Sequence, residues 1–378
     1  MSADEDSSKY DALLIDTSIF ERLGLRLEQG LLGSLTQFKD SKYIYILPDV
    51  IKSEISSHLE RHIKTARLSL EKSLREASEH LFFDGSALTE AKEILISDEI
   101  IESLATKRLD SFIEKTGALV IHSENHVSLS KILEKYFSNC PPFAETGKKK
   151  NEFPDAITLF AVEGWALSNG YQVLAVADDK DWESFCDTSR FLTYEKDLAT
   201  ALAQLNRSDP KMVFDLLVNL NQTLIDNKAP EFIEKIECSL EFELEKYTPY
   251  QEADAFHYWE ADGCSAKLSS FEFQSYEFRV IVRKPEYVVL EADAIISIKV
   301  TGEFSLSGED PYDGDYVSHG GISKCVEVEF ESKVLITISG DLNGDINYLD
   351  IHETEILTKP SIIDFGALEL GASRKTKE

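Results

Sequence analysis

The sequence predicts two domains of different class: an α/β domain with a parallel sheet flanked by helices, then an all-β antiparallel domain of sandwich-like form. Three observations predict this. Before about residue 207, short continuous apolar runs alternate with long helical patterns, as strands buried on both faces do. From about residue 231 onward, apolar and charged residues alternate with period two. The length of 378 residues is too great for one ordinary core.

The first domain, residues 1–207, opens with "YDALLID" (10–16), a strand ending in a carboxylate. "YIYILP" (43–48) is a second strand, closed by proline. Apolar residues at helical spacing then predict a long helix from Asp49 to about Ser78. "ALVIH" (118–122) fits a third strand. Pro154 stands where a first helical residue should, and its missing N–H costs nothing there. Asn169-Gly170 is a good helix stop, so this helix should span 154–168. "QVLAVADD" (172–179) is a further buried strand. "DPKMVFDLLVNLNQTLIDN" reads as a connecting helix within 208–230. In residues 231–378 the stretches "IECSLEFELEKY", "KLSSFEFQSYEFRVIVR" and "YVVLEADAIISIKVTGEFSL" all read as strands.

Composition excludes several classes of function. Hydrophobic content of 43% and charged content of 29% fit a folded globular chain. No apolar run approaches the roughly 18 residues of a membrane span. The acidic start "MSADEDSSKYD" is unlike a secretory signal. Cys140, Cys186, Cys238, Cys264 and Cys325 form no CxxC pair, which argues against a zinc ribbon or disulfide framework. A reducing cytoplasm is the simplest setting. The net charge of −30 opposes broad, non-specific nucleic-acid binding but leaves room for a local basic site. Residues 231–378 carry 13 Lys+Arg against 31 Asp+Glu, so the second domain is the more acidic.

Ligands of a parallel α/β sheet gather outside the carboxyl ends of its strands. The acids of this chain fall at that edge. Asp16 ends the first strand in "LLIDTSIF", and Glu54 lies one turn into the next helix in "LPDVIKSEI". Asp155 opens a helix in "FPDAITLFA", while Asp178, Asp179 and Asp181 follow a strand in "VLAVADDKDW". Converging carboxylates repel unless a cation lies among them. Oxygen ligands of this kind suit Mg²⁺ or Mn²⁺, which can activate water for phosphodiester hydrolysis. His58 and His62, spaced i, i+4, lack the further ligands of a zinc site and read as a surface stripe. "EDPYDGD" (309–315) and "GDLNGDIN" (340–347) lack the distal glutamate of a calcium loop and read as turns.

These four stretches, in this order and spacing, resemble the motifs of the PIN domain, a family of metal-dependent nucleases. The resemblance covers about residues 9–200. "GKKKNEFPDAI" is similar to a PIN-like subgroup with a long helical insertion after the second motif, here about 56–115. The resemblance implies that Asp16, Glu54, Asp155 and Asp179 are catalytic metal ligands, with Asp181 beside them; Asp178, one place early, fits less well. It implies that Ser18 steadies the first aspartate at the substrate-binding side. Lys148, Lys149 and Lys150 would grip phosphate next to Asp155. Ala177 departs from the threonine usual in the fourth motif, which bears on fine positioning rather than on metal binding.

The implied activity is a divalent-metal-dependent endoribonuclease acting on single-stranded RNA. Two other readings remain open: a catalytically silent scaffold that binds RNA or protein, and a defence- or toxin-type nuclease held inactive by a partner. The acidic second domain is compatible with a protein partner, and a homo-oligomer is equally compatible.

Overall fold

The computed structural model describes residues 9–80, 85–96, 100–143, 153–206, 210–309, 316–342 and 344–368. The chain forms two compact units, Met1–Ser208 and Asp209–Glu378.

The first unit has the expected α/β form. In chain order it comprises β1 (Ala12–Ile15), α1 (Thr17–Arg22), α2 (Gly30–Gly33), β2 (Ile44–Pro48), α3 (Asp49–His80), α4 (Gly85–Leu95), α5 (Ile101–Thr116), β3 (Leu119–Ile121), α6 (Leu129–Phe137), α7 (Phe153–Asn169), β4 (Val173–Val176), α8 (Lys180–Thr188), β5 (Leu192–Glu195) and α9 (Leu198–Leu205). The sheet is parallel throughout, in the order β3-β2-β1-β4-β5. Every residue of β1 and β4 is buried, which is why both read as unbroken apolar runs. The sheet order reverses between β1 and β4, so a crevice for a ligand is expected at their carboxyl ends. Between β2 and β3 lie the helices α3, α4 and α5.

Two glycines hold α7 in place. Gly170 ends the helix at φ +70°, a conformation that glycine adopts without a Cβ penalty. At Gly164 any side chain would strike the His126 carbonyl oxygen, so the helix can approach that loop only as glycine. β5 was not foreseen: it has four residues, of which only Leu192 is fully buried, too little for a periodic signal.

The second unit has the expected antiparallel sheet, but a helix takes the start of the range expected to be strand. It begins with two helices, α10 (Pro210–Ile225) and α11 (Pro230–Leu244). There follow β6 (Tyr250–Asp254), β7 (Tyr258–Phe273), β8 (Arg279–Arg283), β9 (Val288–Glu309), β10 (Tyr316–Ser339), β11 (Asp350–Ile356) and β12 (Ile362–Ala367). β11, β10, β9 and β7 form an antiparallel sheet in that order, with β8 also paired to β9. β6 and β12 make a separate parallel pair. One face of the large sheet is buried through Ile296, Ile298, Val300 and Phe304 of β9, while Lys299 and Glu303 point the other way and are exposed. Elements outside the large sheet cover the buried face. Phe365 of β12 packs edge-on against Phe304, and α11 contributes Phe232, Ile236, Leu240 and Leu244 to the same core. The helix expected to be a connector is α10, and its Leu216, Leu220 and Leu224 belong to this core as well.

The stretch "IECSLEFELEKY", expected to be a strand, is therefore largely helix. Its alternation at Leu240, Phe242 and Leu244 is real, but the spacing of Phe232, Ile236, Leu240 and Leu244 completes a helical stripe. Phe242 falls off that stripe and is 70% exposed. Among the described residues no helix is long and apolar enough to cross a membrane.

The two periods predict opposite outcomes for neighbouring residues. Leu240→Ala should cost about 2–5 kcal/mol in the unfolding of the second unit. Phe242→Ala should cost no more than about 0.5 kcal/mol. Chemical denaturation of the two variants measures this; comparable losses would favour a strand.

Candidate functional site

The carboxyl ends of β1 and β4 place the first and fourth acids side by side. The Asp16 N–H donates to the Val176 carbonyl at 2.9 Å, so the two strand ends are tied together. Asp16 is the N-cap of α1 and is only 7% exposed. Its Oδ2 accepts the Ser18 N–H at 3.0 Å and the Ser18 hydroxyl. Burial pushes the Asp16 carboxyl up; the Ser18 hydrogen bonds partly offset this, and the neighbouring Glu54 charge adds to the rise.

The other acids arrive on helices. Glu54 lies in the second turn of α3, where its Oε2 accepts the Thr17 hydroxyl at 2.6 Å. Asp155 lies in the first turn of α7, and its Oδ1 accepts the indole N–H of Trp182 at 2.9 Å. Asp179 caps α8, its Oδ1 accepting the Asp181 N–H at 2.6 Å. Asp181 itself stands in the first turn of α8. Each of the four carboxylates thus has one oxygen fixed by a nearby donor. Local sequence explains two of these bonds, those of Asp16 and Asp179: Asp-Thr-Ser and Asp-Lys-Asp both place an N-capping oxygen beside the amides of a new helix.

Asp155 is where the site's electrostatics concentrate. Burial, followed by the charges of Asp16, Asp179 and Glu54, raises its carboxyl to about 7, while the Trp182 hydrogen bond pulls the other way. Four sequence-predicted acids are therefore close enough to act on one another. Even so, among the described residues no group of three or more His, Cys, Asp or Glu side chains is arranged to hold a metal ion. The donor set has the hard-oxygen chemistry that Mg²⁺ or Mn²⁺ requires, but its side chains are turned to their separate hydrogen-bond donors.

Asp178 does something else. Its carboxylate pairs with Arg22 at 3.2 Å and with Lys196 at 3.0 Å. The Lys196 ammonium, together with Arg22, holds its carboxyl below the usual range. Ala177, where the resemblance expects threonine, is fully buried, and its N–H donates to the Glu195 carbonyl at 3.2 Å. Lys148, Lys149 and Lys150 lie outside the described residues. His58 pairs with Glu21 and contacts Arg61 at 2.8 Å, which accounts for it without zinc. A groove of about 940 Å³ between α11 and β11, lined by Glu234, Phe242 and Glu353 among others, includes none of the site acids.

The sequence motifs gave no site role to Thr17 or to Trp182. Trp182 is fully buried, but its N–H is spent on Asp155. A tryptophan one residue beyond the Asp-Lys-Asp run was the available signal.

The raised carboxyl of Asp155 has a consequence for stability. An unfolded aspartate titrates near 3.9, so between about pH 4 and 7 the folded chain holds a proton that the unfolded chain has lost. Stability from this residue is present at low pH and is lost as pH rises through about 7. With chelator present, Asp155→Asn should melt a few degrees above wild type at pH 8. The gap should close as pH falls toward 4, as read by thermal unfolding across that range. A gap independent of pH would contradict the account.

Residues 13–182 match the family model of the PIN domain. No curated protein and no solved structure matches the chain. PIN domains are usually nucleases that bind nucleic acid, and they typically use divalent metals. The match runs from β1 to the start of α8 and takes in Asp16, Glu54, Asp155, Asp178, Asp179 and Asp181. Over residues 13–182 the chain is similar to the PIN domain family.

Proposed function

We propose that the first unit is a divalent-metal-dependent endoribonuclease acting on single-stranded RNA. One observation carries this reading: Asp16, Glu54 and Asp179, from three separate elements, all act on the charge of Asp155. A solvated helix cap would have no reason to gather three more carboxylates around it. Asp16, Glu54, Asp155 and Asp179 would hold Mg²⁺ or Mn²⁺, with Asp181 beside them. Such an ion, when bound, supplies a nucleophilic water at neutral pH and neutralises charge on the phosphate oxygens.

The chain's own residues prepare that chemistry. Ser18 fixes one oxygen of Asp16, and Thr17 fixes one oxygen of Glu54. Trp182 does the same for Asp155 and keeps water from its inner face. Without metal the Asp155 carboxyl is raised to about 7, so a proton competes with the cation and metal binding should strengthen as pH rises through that range.

Purified protein should cleave single-stranded RNA with Mn²⁺ or Mg²⁺ and stop on addition of a chelator. Asp155→Asn should keep the fold, because asparagine also suits a first helical turn, and should nearly abolish cleavage. Trp182→Phe should reduce activity about ten- to a hundredfold through loss of the donor that orients Asp155. Chelator-resistant cleavage, or full activity in a well-folded Asp155→Asn protein, would defeat the proposal.

A further inference from the structure

A cluster of four carboxylates repels the phosphodiester backbone it is proposed to cut, on a chain whose net charge is already −30. Some cation must offset this at the rim. Two cations converge there from elements far apart in sequence. Arg22 ends α1 and Lys196 follows β5, and they take opposite oxygens of the Asp178 carboxylate, Oδ2 at 3.2 Å and Oδ1 at 3.0 Å. Asp178 is the residue before Asp179. Its backbone N–H lies 3.4 Å from the Ser18 hydroxyl that bonds to Asp16. The pair is thus one residue from one site acid and one hydrogen-bonded side chain from another.

Resting on the nuclease reading, we infer that Arg22 and Lys196 are substrate-binding residues that hold the RNA backbone at the carboxylate site, with Asp178 as the residue that positions them. Arg22 is 40% exposed and Lys196 66% exposed, so both charges are open to a ligand. Exposed pairs of this kind contribute little to stability, so the fold has little need of them. Asp178 occupies part of each cation's donor set. The rest of the guanidinium fork suits a phosphate in two-point contact, and the ammonium adds a point charge. Asp178 also restrains two long side chains in advance, which lowers the entropy lost when the backbone binds.

The test uses the full-length protein with Mn²⁺ and a single-stranded RNA substrate, following kcat and KM against salt concentration. The double variant Arg22→Gln, Lys196→Gln should raise KM on the order of tenfold near physiological salt with kcat little changed. The logarithmic salt dependence of kcat/KM should flatten by roughly 1.4, as expected for two phosphate contacts on a single strand. Its melting temperature should match wild type. The charge-conserving pair Arg22→Lys, Lys196→Arg should keep most of the affinity and the salt slope. If the glutamine variant matches wild type in KM and salt slope, the inference fails while the nuclease reading stands. An equal loss in the charge-conserving variant would assign the pair to structure and also overturn it. Wild-type protein inert toward RNA defeats the nuclease reading and the inference together.

Discussion

The parallel pairing of β1 with β4 is the constraint on which the first unit depends. These strands lie about 160 residues apart in sequence, yet Ala12–Ile15 runs in register with Val173–Val176. Their pairing creates the point at which the sheet order reverses. Asp16 and Asp179 leave the sheet at the same edge only because of it. α3 and α7 then bring Glu54 and Asp155 to that edge, and Lys196 reaches it by way of β5. Without the β1–β4 ladder these groups would be scattered surface charges.

Bringing like charges together under partial burial carries a free-energy cost, and the structure meets it in two ways. Donors are spread among the acids: the Ser18 hydroxyl and N–H on Asp16, the Thr17 hydroxyl on Glu54 and the Trp182 indole on Asp155. Such bonds favour the charged form of a carboxylate and limit the penalty of desolvation. The remainder falls on Asp155, whose carboxyl rises to about 7 and can shed its charge by taking a proton. Binding geometry and stability therefore oppose one another at this residue, as is common where a fold maintains a reactive arrangement.

Much of the first unit could be read from sequence because its signals are local. A continuous apolar run closed by Asp16, and Pro154-Asp155 at a helix start, each announce an element and a carboxylate within a few residues. The four motifs in order then pointed to the family and to the acids proposed for the site. What could not be read depends on tertiary placement. The segment of α11 satisfies a period of two at Leu240, Phe242 and Leu244 and a helical period at Phe232, Ile236, Leu240 and Leu244; only the covered face of the sheet decides between them. Trp182 could be read as buried, but the direction of its N–H belongs to the packing of α8 on α7. Arg22 carries no sequence signal at all. The role inferred for it rests on Asp178, which lies 156 residues away.

The long β9–β10 pair implies that the two units assemble on different timescales. It runs from Glu309 opposite Tyr316 to Val288 opposite Ile338, so pairing starts between residues seven apart and can zip outward with little loop-closure entropy at each step. The first unit has no such route: its central ladder cannot form until the chain through β4 is available and a loop of about 160 residues has closed. Contacts that distant slow folding. During synthesis β1 is exposed well before its partner exists, with its apolar surface uncovered and its edge unpaired. The carboxylate site is consequently among the last features of the first unit to form, and a chain interrupted before β4 carries Asp16, Glu54 and Asp155 without the strand pairing that gathers them.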